Sequence, residues 1–217
     1  MNPFIPRDAP VQWIDISRPI TEGIPVWPGD APFRVDQKFE SGMVLSAFST
    51  TCHVGSHVDA PKHLDPNAGG VESISLGRFI GPAEVVVAET DGEAVDLDHL
   101  PEGWRPVSER VLFRTESFAL NTPICGGFSG LSTALVHWLA DQGVTLVGID
   151  TPSVDAFESD DLPTHKALAA RGMTWIEGLW LGDVRPGMYT LLALPMPLVG
   201  VEAAPVRALI HPIDIDG

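Results

Sequence analysis

The stretch Thr51-Cys-His-Val-Gly-Ser-His-Val-Asp-Ala-Pro-Lys-His63 holds three of the chain's seven histidines and one aspartate. Their pattern is His53-x-x-x-His57-x-Asp59-x-x-x-His63. Gly55 and Pro61 both work against a helix here, while the aromatic, Thr and Val content favours β-structure. Residues 44–59 therefore read as one extended segment. On a strand, side chains alternate faces, so the odd-numbered His53, His57 and Asp59 should share one face, with His63 close by. Cys52, Val54 and Val58 should point into the opposite, apolar side. Two imidazoles and a carboxylate converging on one point are the ligand types that zinc and similar divalent ions take. A carboxylate can also bridge two ions, which an imidazole cannot.

Outward from this stretch, short strands are expected at residues 11–17, 83–88 and 110–115, with a turn-rich segment at 24–30. Residues 132–142 place Leu135, Trp138 and Leu139 at helical spacing and stop before Gly143, which predicts a helix. The continuous apolar run at 144–149 predicts a buried strand. Residues 163–170 predict a second helix, with Pro163 tolerated in its first turn and Gly172 ending it. Further strands are expected at 175–179, 189–194 and 206–210. Strands outnumber helices, and the helices fall in the second half. The fold class is α/β, a single mixed domain across residues 1–217.

The composition sets the remaining bounds. At 217 residues the chain can bury one sizeable core, and 44% hydrophobic with 19% charged residues is too apolar for disorder. Twenty Pro and 21 Gly imply many turns. A formal net charge of −16 repels phosphate backbones and anionic membranes, so neither nucleic acid nor a membrane is an expected partner. Such a charge leaves room for bound cations. Two cysteines, Cys52 and Cys125, are too few for a disulfide scaffold. The first seventeen residues lack the apolar core of a signal peptide, so a reducing cytoplasm is the expected compartment.

Further metal donors must come from elsewhere. Glu177, in the apolar stretch Thr174-Trp-Ile-Glu-Gly178, would be costly to bury without a cationic partner. His165, at the start of a predicted helix, reads by itself as a helix-surface residue. His99, His137 and His211 sit in unremarkable contexts. Asp150 and Asp155 read as loop-organising residues that bond nearby backbone amides. Cys125 lies in a loop with no evident base beside it.

The string from His53 to His63 resembles the His-x-Gly-Thr-His-x-Asp-x-Pro-x-His signature of the cyclase superfamily of metal-dependent hydrolases. That group includes bacterial kynurenine formamidases and isatin hydrolases. Trp13-Ile-Asp-Ile-Ser17 and Trp27-Pro-Gly-Asp30 resemble its N-terminal segments. Leu146-Val-Gly-Ile-Asp-Thr-Pro-Ser153, Leu192-Leu-Ala-Leu-Pro195 and Pro205-Val-Arg-Ala208 resemble the formamidases in particular. The resemblance implies a swivelling β/β/α architecture and a homodimer or larger assembly. It implies two divalent ions per subunit, zinc as in the formamidases or manganese as in isatin hydrolase. One ion would be held by His53, His57, Asp59 and Glu177, the other by Asp59, His165 and Glu177, with both carboxylates bridging. His63 maps onto the catalytic acid/base, its alternative being a histidine that only orients Asp59. Trp27 maps onto an aromatic wall of the substrate pocket. The implied activity is hydrolysis of N-formyl-L-kynurenine, a small aromatic amide, to formate and L-kynurenine. Opening of a cyclic amide such as isatin, or metal binding without turnover, are the alternatives. Two departures stand out: Ser56 replaces the usual Thr but keeps the hydroxyl, and residues 158–162 differ from the formamidase pattern in a loop expected to shape the pocket.

Overall fold

A computed structural model describes residues 13–213 of the chain. In chain order its elements are β1 (Ile14–Asp15), β2 (Arg34–Glu40), β3 (Met43–Ser49), β4 (His57–Asp59), β5 (Ile80–Val87), β6 (Arg110–Arg114), α1 (Thr133–Asp141), β7 (Leu146–Ile149), α2 (Pro163–Ala170), β8 (Thr174–Glu177), β9 (Gly187–Leu192), β10 (Ala203–Pro205) and β11 (Leu209–Pro212). Nine strands form one sheet in the order β1-β11-β9-β5-β6-β7-β8-β4-β10, while β2 and β3 pair as a separate hairpin. Strands β5 to β8 run parallel and the flanking pairs are antiparallel. This is the mixed α/β domain that the alternation of strand and helix patterns predicts. No helix among the described residues is long and apolar enough to cross a membrane.

Period-two burial divides the sheet between two cores. Val111 and Phe113 of β6, Val147 and Ile149 of β7 and Trp175 of β8 pack against Leu135, Val136 and Leu139 of α1 and Leu168 of α2. Leu112, Leu146 and Ile176 face the other way, into a second cluster with Val58, Leu179, Leu191 and Ile210. Each fully buried Leu, Ile or Phe contributes roughly 1.5–3 kcal/mol. Ser132 caps α1, its Oγ accepting from Leu135 N at 2.9 Å.

Several expected boundaries move. The extended segment 44–59 breaks: β3 ends at Ser49, residues 50–56 turn, and only His57–Asp59 forms a strand. Gly55 makes that turn with φ +65°. The strand expected at 206–210 is instead two short strands, Ala203–Pro205 and Leu209–Pro212. That expected at 11–17 is the two-residue β1; Val11, Gln12 and the N-terminal residues read for a signal peptide lie outside the described residues. Strand β2 was not anticipated. All its residues and all those of β3 are exposed, so no hydrophobic alternation marks a buried face.

The turn at 52–56 is clamped to the end of β8. Ser56 Oγ accepts from Arg18 N at 2.9 Å and donates to the Gly178 carbonyl at 2.6 Å, which explains why the hydroxyl matters at this position. Gly178 has φ +67°, and a Cβ there would collide with the Gly55 carbonyl oxygen. Gly178→Ala combines a left-handed L-residue with a backbone clash. It is expected to cost about 3 kcal/mol or more in urea unfolding; a loss under about 1 kcal/mol would show that the two turns can separate freely.

Candidate metal centre

The register of β4 builds the centre of the site. His57 lies directly across from Glu177 of β8, and Asp59 across from Ala203 of β10. His57 and Asp59, two residues apart, therefore share one face, as the strand reading requires. His53 does not reach them along a strand. It arrives from the Gly55 turn, and that turn leaves Cys52 half-buried rather than in the core. His165 comes from the first turn of α2 and Glu177 from the end of β8. The structure thus brings together all five residues expected to hold metal, with His63 beside them.

Asp59 is the hub, with 1% of its surface exposed. Its Oδ1 stands 3.1 Å from His53 Nδ1 and 3.6 Å from His57 Nε2. Its Oδ2 stands 3.4 Å from His165 Nε2 and 3.8 Å from His63 Nε2, and accepts from Trp175 Nε1 at 3.3 Å. Glu177 is split in the same way: Oε2 is 3.1 Å from His57 Nε2, and Oε1 is 3.3 Å from His165 Nε2. Each carboxylate thus straddles two imidazole groups. His53, His57 and Asp59 form one close set of donors, and Asp59, His63 and His165 form a second.

A divalent cation fits these residues. Asp59 Oδ1 is buried and accepts no hydrogen bond among the described residues. A buried, unpaired carboxylate oxygen is costly, and a coordinated ion removes that cost. Without a bound ion, burial pushes Asp59 upward, but the facing imidazoles of His165 and His53 outweigh it and hold the carboxyl well below its usual range. Burial and the Asp59 charge push Glu177 upward; His165 and His57 prevail and keep it below its usual value. Burial lowers His165, yet Glu177, Asp155 and Asp59 raise it well above an ordinary histidine. Burial likewise lowers His53, yet Asp59, Glu177 and Glu202 raise it to about 9. His63 goes the other way. Burial lowers it foremost, Asp59 opposes this, and the neighbouring His53 and His165 add to the lowering.

The centre forms the floor of a cavity of about 500 Å³. Trp27 lines it and packs on Phe157, ring centroids 5.2 Å apart, and edge-on against Phe128 at 6.4 Å. Ser159, Asp160 and Leu162 also line it, so the divergent loop does shape the pocket. The other histidines stay outside. His99 closes a capping box with Asp96, His211 packs on Trp13, and His137 is exposed on α1. Cys125 is exposed.

Sequence reasoning missed one wall of the site. Arg18 is buried and donates to the carbonyls of Phe118 at 3.0 Å, Ala119 at 3.4 Å and Asp150 at 2.6 Å, tying the 118–124 wall to the end of β7. Burial lowers its guanidinium to about 10, against the pull of Asp150. A lone Arg in a turn-rich segment carries no signal of such burial. Asp150 does bond backbone amides, but distant ones, accepting from Thr115 N and Glu116 N at 3.0 Å and so tying the end of β6 to the end of β7. Asp155 bonds backbone amides too, but its carboxylate also holds the His165 ring, at 2.6 Å from Nδ1.

An imidazole must lose its proton to ligate a metal. As a ligand, His53 is protonated below about 9 in the metal-free protein, so an entering ion must displace that proton. Zinc affinity, measured by chelator competition, should therefore rise at least about tenfold per pH unit from about 7 toward 9. An affinity that stays flat over that interval would remove His53 from the ligand set.

The family model "Putative cyclase" matches residues 14–156. A kynurenine formamidase from Salinibacter ruber is 39% identical over 204 residues, covering 91% of this chain and 96% of that protein. A solved structure described as a predicted metal-dependent hydrolase from Bacillus stearothermophilus is 30% identical, with a TM-score of 0.78 over 93% of this chain and 98% of that one. Isatin hydrolase A from Ralstonia solanacearum shares the fold at a TM-score of 0.77 and 23% identity, covering 92% of this chain and 91% of that one. The chain belongs to the cyclase family.

Proposed function

We propose that this chain is an arylformamidase that hydrolyses N-formyl-L-kynurenine to L-kynurenine and formate. The observation that carries this reading is the pair of buried carboxylates, Asp59 and Glu177, each straddling two imidazole groups at the floor of an aromatic-walled cavity. The 39% identity to a kynurenine formamidase along almost the whole chain supports the choice of substrate. In this reading His53, His57, Asp59 and Glu177 would hold one divalent ion, and Asp59, His165 and Glu177 the second. Zinc is the proposed metal, with manganese the alternative. Bound there, such ions make water nucleophilic near neutral pH and polarise a carbonyl.

The protein's own residues do the rest. The Trp27 indole and Phe157 ring give the aryl group flat apolar faces and set the formyl carbon toward the floor. His63, held below the ordinary histidine value, is neutral at pH 7 and can accept a proton at Nε2. It takes that proton from the attacking water and delivers it to the aniline nitrogen as the carbon–nitrogen bond breaks. An anilide nitrogen leaves poorly as an anion, so the delivery is needed.

Zinc-loaded protein should release formate from N-formylkynurenine and lose that activity to a chelator. His63→Ala should lower kcat about 10²- to 10⁴-fold with metal content unchanged. Loss of metal in step with activity would make His63 a ligand instead. Isatin opening without formamide hydrolysis would reassign the substrate, and fully loaded protein inert to both would be a metal-binding protein without turnover.

We further propose that the chain works as a homodimer. The β2–β3 hairpin exposes Phe39 at 74% and Phe48 and Val44 at 62%, and a two-stranded hairpin is marginal in water by itself. A second copy of the chain would cover it. Light scattering should give the dimer mass for the native chain and the monomer mass for Phe39→Ser combined with Phe48→Ser; a monomeric native chain would refute the assembly.

A further inference from the structure

The loop after β7 holds the metal centre from behind. Its Val154 N donates to Glu177 Oε1 at 2.7 Å. The next residue, Asp155, is 2% exposed, and its carboxylate meets three N–H groups of α2. Oδ1 accepts from Thr164 N at 2.8 Å. Oδ2 accepts from His165 N at 3.0 Å and stands 2.6 Å from His165 Nδ1. The loop is itself fixed: Asp155 N donates to Ser153 Oγ at 3.1 Å, and Leu131 N donates to the Val154 carbonyl at 2.7 Å. Gly130 lies so close that a Cβ there would collide with the Val154 carbonyl oxygen.

The chemistry of that fork decides the state of the ring. An ionised carboxylate can only accept, so the proton at this contact sits on His165 Nδ1. Once the ring gives up its other proton to an entering ion, its lone pair is therefore at Nε2. That atom lies 3.4 Å from Asp59 Oδ2 and 3.3 Å from Glu177 Oε1. An ion entering between these three atoms takes the place of the proton that Nε2 otherwise shares with the two carboxylates. One oxygen of Asp155 holds both the backbone N and the ring N of the same residue, which fixes the rotamer as well as the tautomer.

The other two imidazoles are held differently. His57 Nδ1 is 3.0 Å from the Gly55 carbonyl, a backbone partner that no substitution removes. Among the described residues, His53 Nε2 faces the part-exposed Glu202, at 3.6 Å. His165 alone depends on a fully buried side chain. The same carboxylate caps α2 from a distance: Leu162, in the N-cap position with φ +48°, offers no capping side chain, and Asp155 supplies the missing acceptor.

We infer that Asp155 is a positioning residue of the metal centre, fixing the tautomer and ring orientation of His165 so that Nε2 faces the subsite shared with Asp59 and Glu177. The inference rests on the metal-centre reading above. Partners of this kind typically change metal affinity 10- to 100-fold.

Asp155→Asn keeps the size and one amide acceptor but places an NH2 group where the ring needs an acceptor. Zinc competition titrations on the metal-depleted native chain and on this variant should show one ion weakened 10- to 100-fold, with the ion at His53 and His57 held as before. Equal weakening of both ions alongside a lower melting temperature would reduce Asp155 to a structural role, and unchanged affinity for both would dismiss it. A second measurement needs no variant: in zinc-loaded native protein, ring-nitrogen NMR should find the His165 proton on Nδ1, and a proton on Nε2 would overturn the assignment. Failure of the native chain to bind zinc at all would sink the metal-centre reading and this inference with it.

Discussion

A carboxylate taken almost completely out of water must meet positive charge, and Asp59 is the point from which this molecule is organised. Its side chain is 1% exposed, and one oxygen has no hydrogen-bond donor among the described residues. Leaving such a group uncompensated costs several kcal/mol, a large part of a typical domain's net stability. The surroundings are arranged to meet it. Two imidazoles face each oxygen, and one faces each oxygen of Glu177 on the neighbouring strand. Removing the charge by protonation is not the solution adopted, since both carboxyls are held below their usual values.

The sheet explains how such a centre can be built from distant segments. Strands β6, β7 and β8 are parallel, so the chain leaves all three at the same edge. Ligands in open α/β sheets bind beyond the carboxyl ends of the strands. Here β8 ends in Glu177 itself, the loop after β7 carries Asp155, and the loop after β6 leads to Phe118 in the cavity wall. Antiparallel β4 then lies beside β8 and brings His57 and Asp59 to that edge. The Gly55–Gly178 contact sets how closely the two halves approach. A side chain at Gly178 would collide with the Gly55 carbonyl and push β8 away from the turn that carries His53.

What the sequence made legible follows from which forces act locally. Two residues apart on a strand means one face, so His57 and Asp59 were readable from spacing. His53 reached the same point for a different reason: a glycine in the left-handed region folded the chain back. Strict alternation placed it correctly by the wrong route and put Cys52 in a core it does not enter. Glu177 was readable because a lone carboxylate in an apolar strand demands a partner. His165 was not, since only the β7–α2–β8 crossover carries it to Asp59. Arg18 acts through carbonyls a hundred or more residues away, and Asp155 through a ring nitrogen ten residues away, and no periodicity encodes such pairings. Strand β2 escaped because its exposure on both faces leaves no buried stripe by which a strand is recognised, whereas β3 lay within the extended segment expected at 44–59.

Burial separates the histidines by the work each can do. His57 and His165 have 3% of their side-chain surface exposed, whereas His63 has 27%. A group that only holds an ion gains from being sealed, because its ring is then fixed and water is kept from competing. A group that moves protons must touch what it protonates, and His63 lies in the cavity lining at the end of the short 3₁₀ turn Pro61–His63. Its proton affinity is set accordingly. His53 and His165, facing Asp59 and Glu177, are raised, and His63, 3.8 Å from Asp59 and beside two other imidazoles, is lowered, chiefly by burial. Burial and the acidic hub together therefore set these histidines apart: His53 and His165, drawn to its charge, suit holding a cation, and His63, lowered chiefly by burial, suits giving and taking a proton.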